Sequence, residues 1–225
     1  MTRQNIEKRF DAVSYSRTFR NIIQSFSMDK KKVLDIGCSY GEFLAHFGEG
    51  STGLTVVLEE VEYGKRRGLN VRLGNIEADD CGLGPGNEKF EIIFANNIFE
   101  HLLSPHAFLQ KIKAFLARDG FLILGVPCVP MIAFLMRFSR FRGAAASNHI
   151  NFFTRHTLAL TILSGGWIIS EARSFRFKNK FLDAFLHPIA PHFYVIATPD
   201  PNFAYNKKRL KELAGYGILN TADAK

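Results

Sequence analysis

The chain lacks the cysteine pattern of a disulfide-bonded protein. Its 225 residues include three cysteines, Cys38, Cys81 and Cys128, and no two of them form a C-x-x-C pair. An odd number of unpaired thiols indicates a reducing compartment, so we predict a cytoplasmic protein. His101 and His106 do not have the spacing of a metal site either, and we predict no metal.

Long hydrophobic runs are scarce. The longest, residues 121–136, is interrupted by Gly125, Pro127 and Pro130, and it is shorter than the roughly 20 residues that a membrane-spanning helix needs. The charged N-terminus does not resemble a secretory signal. Because 47% of the residues are hydrophobic, the chain can bury a core without disulfides or metals, and one domain covering residues 1–225 is the simplest interpretation.

Two common phosphate-binding loops are missing as well. The sequence has neither G-x-G-x-x-G nor G-x-x-x-x-G-K-[ST], which disfavours a dinucleotide or a triphosphate as ligand. A different turn is present, in which the apolar segment Val33–Ile36 is followed by Gly37, Gly41 and a predicted helix. Glycines at such a strand–turn–helix junction let the backbone approach a nucleotide-like ligand closely.

Apolar segments alternate with helical patterns along the chain. The predicted strands are 33–36, 52–57, 71–73, 90–95, 121–126, 167–172 and 193–198. The predicted helices are 5–26, 42–47, 59–67, 107–117 and 154–163. This alternation predicts an α/β fold with a doubly wound, seven-stranded, mostly parallel sheet and one antiparallel strand near the edge. Ligands of such sheets bind at the carboxyl ends of the strands.

Three segments lie outside the alternation. We expect residues 1–29 to form an N-terminal helical cap, residues 128–152 a lid-like insertion and residues 201–225 a C-terminal helix and tail. None of them has the composition of a second domain.

Three motifs resemble those of class I S-adenosylmethionine-dependent methyltransferases, over roughly residues 30–198. The first is D-x-G-x-x-x-G from Asp35, and the second is the run Phe90–Leu102, which is similar to F-D-x-I-x-x-x-x-x-x-E-H-L. The third, His149–Thr154, resembles the H-x-N-x-F-[ST] segment of a small-molecule and glycan-modifying subfamily. The resemblance implies a Rossmann-like methyltransferase fold with S-adenosyl-L-methionine as cofactor.

The resemblance also implies which residues bind the cofactor, at the ends of four strands. Asp35 would help to fix the ammonium group, and the glycine loop would let the backbone approach. The full predicted set is Asp35, Gly37, Cys38, Gly41, Thr55, Glu60, Asn75, Ile76, Asn96 and Asn97.

Two positions depart from the family pattern. Thr55 stands where a carboxylate usually accepts the ribose hydroxyls, and Asn75 stands where an aspartate often meets the adenine amine. Glu60 is the candidate for the ribose, although acids here also suit an ordinary first helical turn. An amide oxygen can still accept the adenine hydrogen bond. The departures keep open a catalytically silent protein that retains the fold.

Catalysis would take place beside Asn96 and Asn97, where the family places the transferable methyl group. The N-P-P-[YF] signature is absent, which argues against DNA adenine or protein glutamine as substrate. His101 is the first candidate for a general base and His149 the second, because imidazole takes a hydroxyl proton near neutral pH. The alternatives are a structural histidine and a reaction that needs no base, since alignment alone contributes about 7–11 kcal/mol.

The net charge of +8 and the predicted lid suggest the chemical class of the methyl acceptor. Met131, Phe134, Leu135 and Phe138 have helical spacing, with Arg137 and Arg140 on the other side. We expect a small-molecule acceptor, with an anionic or lipid-linked molecule as a hypothesis, and peripheral membrane contact through residues 131–142 as a second one. RNA methylation is supported only by charge, because no RNA-binding module is present. The sequence does not indicate an oligomeric state.

Overall fold

Seven strands form one sheet, in the order β3-β2-β1-β4-β5-β7-β6. The computed structural model describes residues 2–84, 88–130, 133–186 and 190–215. The strands are β1 (Val33–Ile36), β2 (Thr52–Thr55), β3 (Val71–Leu73), β4 (Phe90–Asn96), β5 (Leu116–Pro127), β6 (Trp167–Arg173) and β7 (His192–Pro199).

The first five strands pair in parallel, and β7 pairs antiparallel with both β5 and β6. The antiparallel strand therefore lies next to the edge strand β6. This confirms the predicted doubly wound, mostly parallel sheet. The order of the strands reverses between β1 and β4, which is where ligands bind in folds of this type.

Helices cover both faces of the sheet. They are α1 (Arg3–Tyr15), α2 (Arg17–Phe26), α3 (Leu58–Arg66), α4 (Pro105–Lys111), α5 (Ser139–Arg142), α6 (Arg155–Ser164), α7 (Lys180–Leu186) and α8 (Lys207–Gly215). Within the described ranges, no helix is both long and apolar enough to cross a membrane.

Alternate residues of β1 belong to two different parts of the core. Leu34 and Ile36 pack in a cluster that includes Phe108 from α4 and Leu158 from α6. Val33 packs in a second cluster with residues of α2 and the inner strands. This alternation places both sheet faces under apolar cover, as expected for a parallel sheet that is buried on both sides.

The predicted helix 5–26 is two helices that meet at Ser16. This residue is extended, and its hydroxyl accepts a hydrogen bond from the amide of Phe19 at 3.3 Å. Serine is a favoured N-cap because its side chain satisfies one of the free amides at a helix start. The local cap therefore ends α1 and begins α2.

Two other predicted helices are wrong in extent. Residues 42–47 contain only a short 3₁₀ turn, Leu44–His46, because the amide of Gly48 bonds to the Met28 and Lys31 carbonyls. The helix predicted over 107–117 stops earlier, since Leu116 already pairs with Phe90 of β4. In both places long-range backbone pairing overrides the local helical pattern.

The predicted lid helix is also wrong. Residues Ala133–Arg137 form a 3₁₀ turn, and α5 begins only after Phe138, which is extended. Met131 and the side chain of Arg140 lie outside the described residues. Helix α7 was not predicted at all.

Candidate functional site

A cleft of about 800 Å³ opens at the carboxyl ends of β1, β2 and β3. Six of the predicted site residues line it: Gly37, Thr55, Glu60, Asn75, Ile76 and His101. These residues come from three strand ends, from the start of α3 and from the turn after β4, so the parallel sheet brings together positions that are far apart in sequence. The volume is in the range of small-molecule and cofactor sites.

The glycine turn forms one wall of this cleft. Gly37 has φ +77°, and a Cβ at this position would come within 3.2–3.3 Å of the Ile98 side chain. The amides of Gly37 and Cys38 both donate to the Leu54 carbonyl, at 2.9 and 3.0 Å. The turn is therefore held against β2, and its left-handed backbone is a conformation that glycine adopts without strain.

Three predicted residues in or just before the glycine turn do not line the cleft. Asp35 is 1% exposed, and its Oδ2 has no hydrogen-bond partner among the described residues. Burial, and next to it the charge of Glu42, raises the pKa of Asp35 well above its usual value. Cys38 is buried against Gly53, so that burial raises the pKa of its thiol. Gly41 faces Leu69.

Glu60 reaches the cleft from the first turn of α3. Its carboxylate accepts hydrogen bonds from the hydroxyls of Thr55 and of Ser39, the latter at 3.0 Å. Its neighbour Glu59 accepts from the Tyr40 hydroxyl instead, at 3.3 Å. Both acids lie in the first turn of α3, and of the two Glu60 lines the cleft.

Arg9 was missed by the sequence analysis, although it lines the same cleft. Its Nε lies 2.5 Å from Oε1 of the buried Glu42, and its Nη2 donates to the Ser39 hydroxyl at 3.2 Å. Burial raises the pKa of Glu42, and the charge of Arg9 acts in the opposite direction. Helix α1 therefore contributes a cation to the rim of the cleft.

The far end of the cleft is bounded by the turn after β3. The side-chain oxygen of Asn75 accepts from the Glu77 amide at 3.0 Å. Glu77 lines the cleft too, and its carboxylate accepts from the amides of Leu103 and Ser104 at 3.1 and 2.7 Å. Because these amides precede α4, the Glu77 carboxylate is held by the start of that helix.

Glu100, His101 and His149 form a compact cluster at one side of the cleft. Their ligand atoms all lie within 4.8 Å of one another, and the two imidazole rings are 4.8 Å apart. Burial raises the pKa of Glu100 to about 7 and, together with the charge of His101, lowers that of His149. Such a trio could share a proton or hold a divalent cation. Sequence spacing missed it because His149 comes from the lid-like insertion.

Neither Asn96 nor Asn97 lines the cleft. Asn96 pairs with Gly125 of β5, and Asn97 contacts β7. Asn97 has φ +55°, and its Oδ1 lies 2.7 Å from Nε2 of His192. Burial lowers the pKa of His192 to about 4. A second cleft of about 330 Å³, lined by His192 and by Arg17 and Arg176, opens here. The residue after Asn97, Ile98, lines the first cleft, so this corner separates two binding spaces.

The fold and the cleft define a doubly wound α/β protein with a nucleotide-type site at its switch point. A family model described as a methyltransferase domain matches residues 8–162. The chain therefore belongs to this family, and membership gives S-adenosylmethionine as the methyl donor. The residues fit that molecule, because the cleft offers the Glu60 carboxylate beside a glycine turn. Just before that turn, outside the lining of the cleft, the buried Oδ2 of Asp35 lacks a partner among the described residues.

The relatives include enzymes that differ in the atom they methylate. Ubiquinone biosynthesis O-methyltransferase of Haemophilus ducreyi is 33% identical over 42% of this chain and 44% of its own length. (S)-Coclaurine N-methyltransferase of Papaver somniferum is 29% identical over 47% of this chain and 32% of its own length. The match thus spans less than half the length of these curated relatives.

Among solved structures, a TehB-like SAM-dependent methyltransferase from Corynebacterium glutamicum superposes with a TM-score of 0.59. The alignment covers 88% of this chain and 97% of that chain at 16% identity. At this identity the likeness supports the fold alone.

Proposed function

We propose that the protein transfers a methyl group from S-adenosylmethionine to an oxygen or nitrogen of a small-molecule acceptor. The observation that carries the proposal is the cleft that joins Gly37, Thr55, Glu60 and His101 at the switch point of a methyltransferase-family sheet. The named activities of the relatives, an O-methyltransferase and an N-methyltransferase of small molecules, support both acceptor atoms.

The cofactor-binding roles follow from charge. The Glu60 carboxylate would accept the ribose hydroxyls in place of the acid that Thr55 replaces, and it is already oriented by two hydroxyl donors. Arg9, at the same rim, would pair with the carboxylate of the methionine end. Asp35 stands just before the glycine turn, where burial raises its pKa. An ammonium group bound at the turn would favour the ionised form of this carboxyl.

On the acceptor side, His101 is the candidate general base. It lines the cleft, and its Nδ1 lies 3.1 Å from the Asn148 carbonyl, which leaves the other ring nitrogen to take a proton. His149 packs edge-on behind it and orients the ring. We expect His101→Gln to lower kcat by about 100-fold and His149→Gln to lower it less. If His101→Gln and the parent turned over at the same rate, His101 would not be a general base in this reaction.

The first experiment is calorimetric titration with S-adenosylhomocysteine, with NADH as a control. We expect binding of the former alone, and a loss of about tenfold or more in Glu60→Gln, because a charged acceptor of two hydroxyl bonds is removed. Glu59→Gln is the matched control, since it changes the same charge one residue away. No binding from a folded sample would favour the catalytically silent alternative, and equal losses in both variants would dismiss the role of Glu60.

The segment 131–142 is proposed to touch membrane surfaces, in a protein that we place in the cytoplasm. Phe134 and Phe138 are 58% and 48% exposed with their rings 5.7 Å apart, and Arg137 lies over Phe134. Aromatic side chains beside arginines suit the interface of an anionic bilayer. Flotation with anionic vesicles at low salt is expected to carry the parent chain and to lose a Phe134→Ser/Phe138→Ser variant. A parent that stays at the bottom contradicts this contact.

A further inference from the structure

Two adjoining clefts lie beside β6 and β7, away from the cofactor cleft at the ends of β1, β2 and β3. One, of about 330 Å³, includes Ser16, Ser174 and His192, and the other is about 380 Å³. Both are lined by Arg17 and Arg176. The two clefts together form one basic groove between the start of α2 and the loop after β6.

The groove is positively charged and has no acidic side chain in its lining. Arg17, Arg20, Arg176 and Lys178 contribute four cations. Across the described part of the chain, none of these four has a carboxylate within 4.0 Å, and the Arg20 guanidinium has only a long bond to the Tyr15 carbonyl at 3.4 Å. Elsewhere Arg9, Arg67, Arg72 and Arg173 are paired with glutamates. Unpaired cations around a concave surface attract an anion.

The wall that carries Arg176 is built rigidly. The buried Asp183 carboxylate accepts hydrogen bonds from the amides of Ser174, Phe175 and Phe177 and from the Ser174 hydroxyl, at 2.7–3.1 Å. Asn21 of α2 donates to the Phe175 carbonyl at 2.9 Å, which ties the loop to the opposite wall. These bonds hold Phe175 at φ +54°, a backbone conformation that residues other than glycine rarely adopt. Backbone strain of this kind is often found at binding sites.

One end of the groove lies beside the corner at Asn97, next to the cofactor cleft. His192 lies in it and contacts Asn97, whose neighbour Ile98 lines the cofactor cleft. An acceptor with its head at Asn97 and His192 would extend its tail between Arg17 and Arg176. The first turn of α2 adds the positive end of a helix dipole at Arg17.

From this arrangement we infer that the acceptor carries a phosphoryl group, which Arg17 and Arg176 bind while the methylated atom lies near Asn97. The inference rests on the proposed function and specifies its substrate class. Arginine is suited to the role because its planar donors bind two phosphate oxygens at once. The phosphoryl group would belong either to a soluble phosphate ester or to a lipid headgroup, which share this chemistry.

The test compares the parent chain with Arg17→Gln/Arg176→Gln and with a control, Arg118→Gln/Lys211→Gln. The control removes the same charge from exposed positions outside the groove. Each protein is titrated with S-adenosylhomocysteine and, separately, with phenyl phosphate. We expect the groove variant to lose at least about tenfold in phenyl phosphate affinity and to keep its affinity for S-adenosylhomocysteine, while the control matches the parent in both.

Vesicles of phosphatidylcholine with and without phosphatidic acid separate the two sources. Binding of phosphatidic acid vesicles that is lost in the groove variant assigns the site to a lipid headgroup. Binding of phenyl phosphate that is lost in the groove variant, with no binding of phosphatidic acid vesicles by the parent, assigns it to a soluble ester. If all three proteins bind S-adenosylhomocysteine but none binds phenyl phosphate, the phosphoryl inference is overturned and the proposed function stands. If none binds S-adenosylhomocysteine, the proposed function and the acceptor role both fail.

Discussion

Replacement of Gly37 by alanine is expected to lower the affinity for S-adenosylhomocysteine by about 100-fold or more, which corresponds to ~2.7 kcal/mol. The added methyl group would lie 3.2–3.3 Å from the Ile98 side chain, between two residues that line the cofactor cleft. It would also strain a backbone at φ +77°, at a cost of about 1–3 kcal/mol. Either the methyl group enters the space of the ligand or the turn moves away from it.

Gly68→Ala is the matched control for this prediction. Gly68 has φ +76°, and a Cβ there would meet nothing within 4 Å. The two variants therefore carry the same backbone strain, and we expect similar losses of unfolding free energy in urea. Only the Gly37 variant should lose the ligand in a calorimetric titration. If both variants bind S-adenosylhomocysteine as the parent does, the cofactor site is not at this turn.

The sheet could be predicted from the sequence because its signals are local. The apolar segments and the glycine turn mark where strands end, and every predicted strand is present in the structure. The sequence also predicts one antiparallel strand near the edge, and β7 is that strand. Helix α7, which lies between β6 and β7, is not among the predicted elements. Short helices such as α7 carry too few residues to show a periodic pattern.

Side-chain partners across the chain could not be predicted in the same way. Arg9 reaches the cleft because α1 packs beside the glycine turn, where its guanidinium meets Glu42. No spacing in the sequence indicates that contact. The same holds for His149, which the insertion brings to Glu100, and for Leu116, which joins β5 because Phe90 is opposite to it. Propensity is a local property, and these contacts are set by tertiary packing.

Glu100→Gln is expected to make the protein more stable above neutral pH. Glu100 is 1% exposed, and burial raises its pKa from 4.5 to about 7 in the folded state. Between these two pH values the folded protein holds a proton that the unfolded chain has released. Unfolding then releases a proton, so the free energy of unfolding contributed by this group falls as the pH rises through the window. The loss is on the order of 3 kcal/mol once both states are ionised.

The side-chain amide introduced by Glu100→Gln does not titrate, so that this loss disappears in the variant. Urea denaturation at pH 5 and pH 8, with EDTA present, should show the variant gaining stability over the parent as the pH rises. Glu49→Gln, an exposed change, should leave the pH dependence unaltered. If the unfolding free energies of the parent and the Glu100 variant changed equally between pH 5 and pH 8, the Glu100 carboxyl would not be held protonated by burial. A gain would instead mean that the protein keeps a destabilising acid beside His101 and His149, which is expected where the acid serves proton transfer or substrate binding rather than folding.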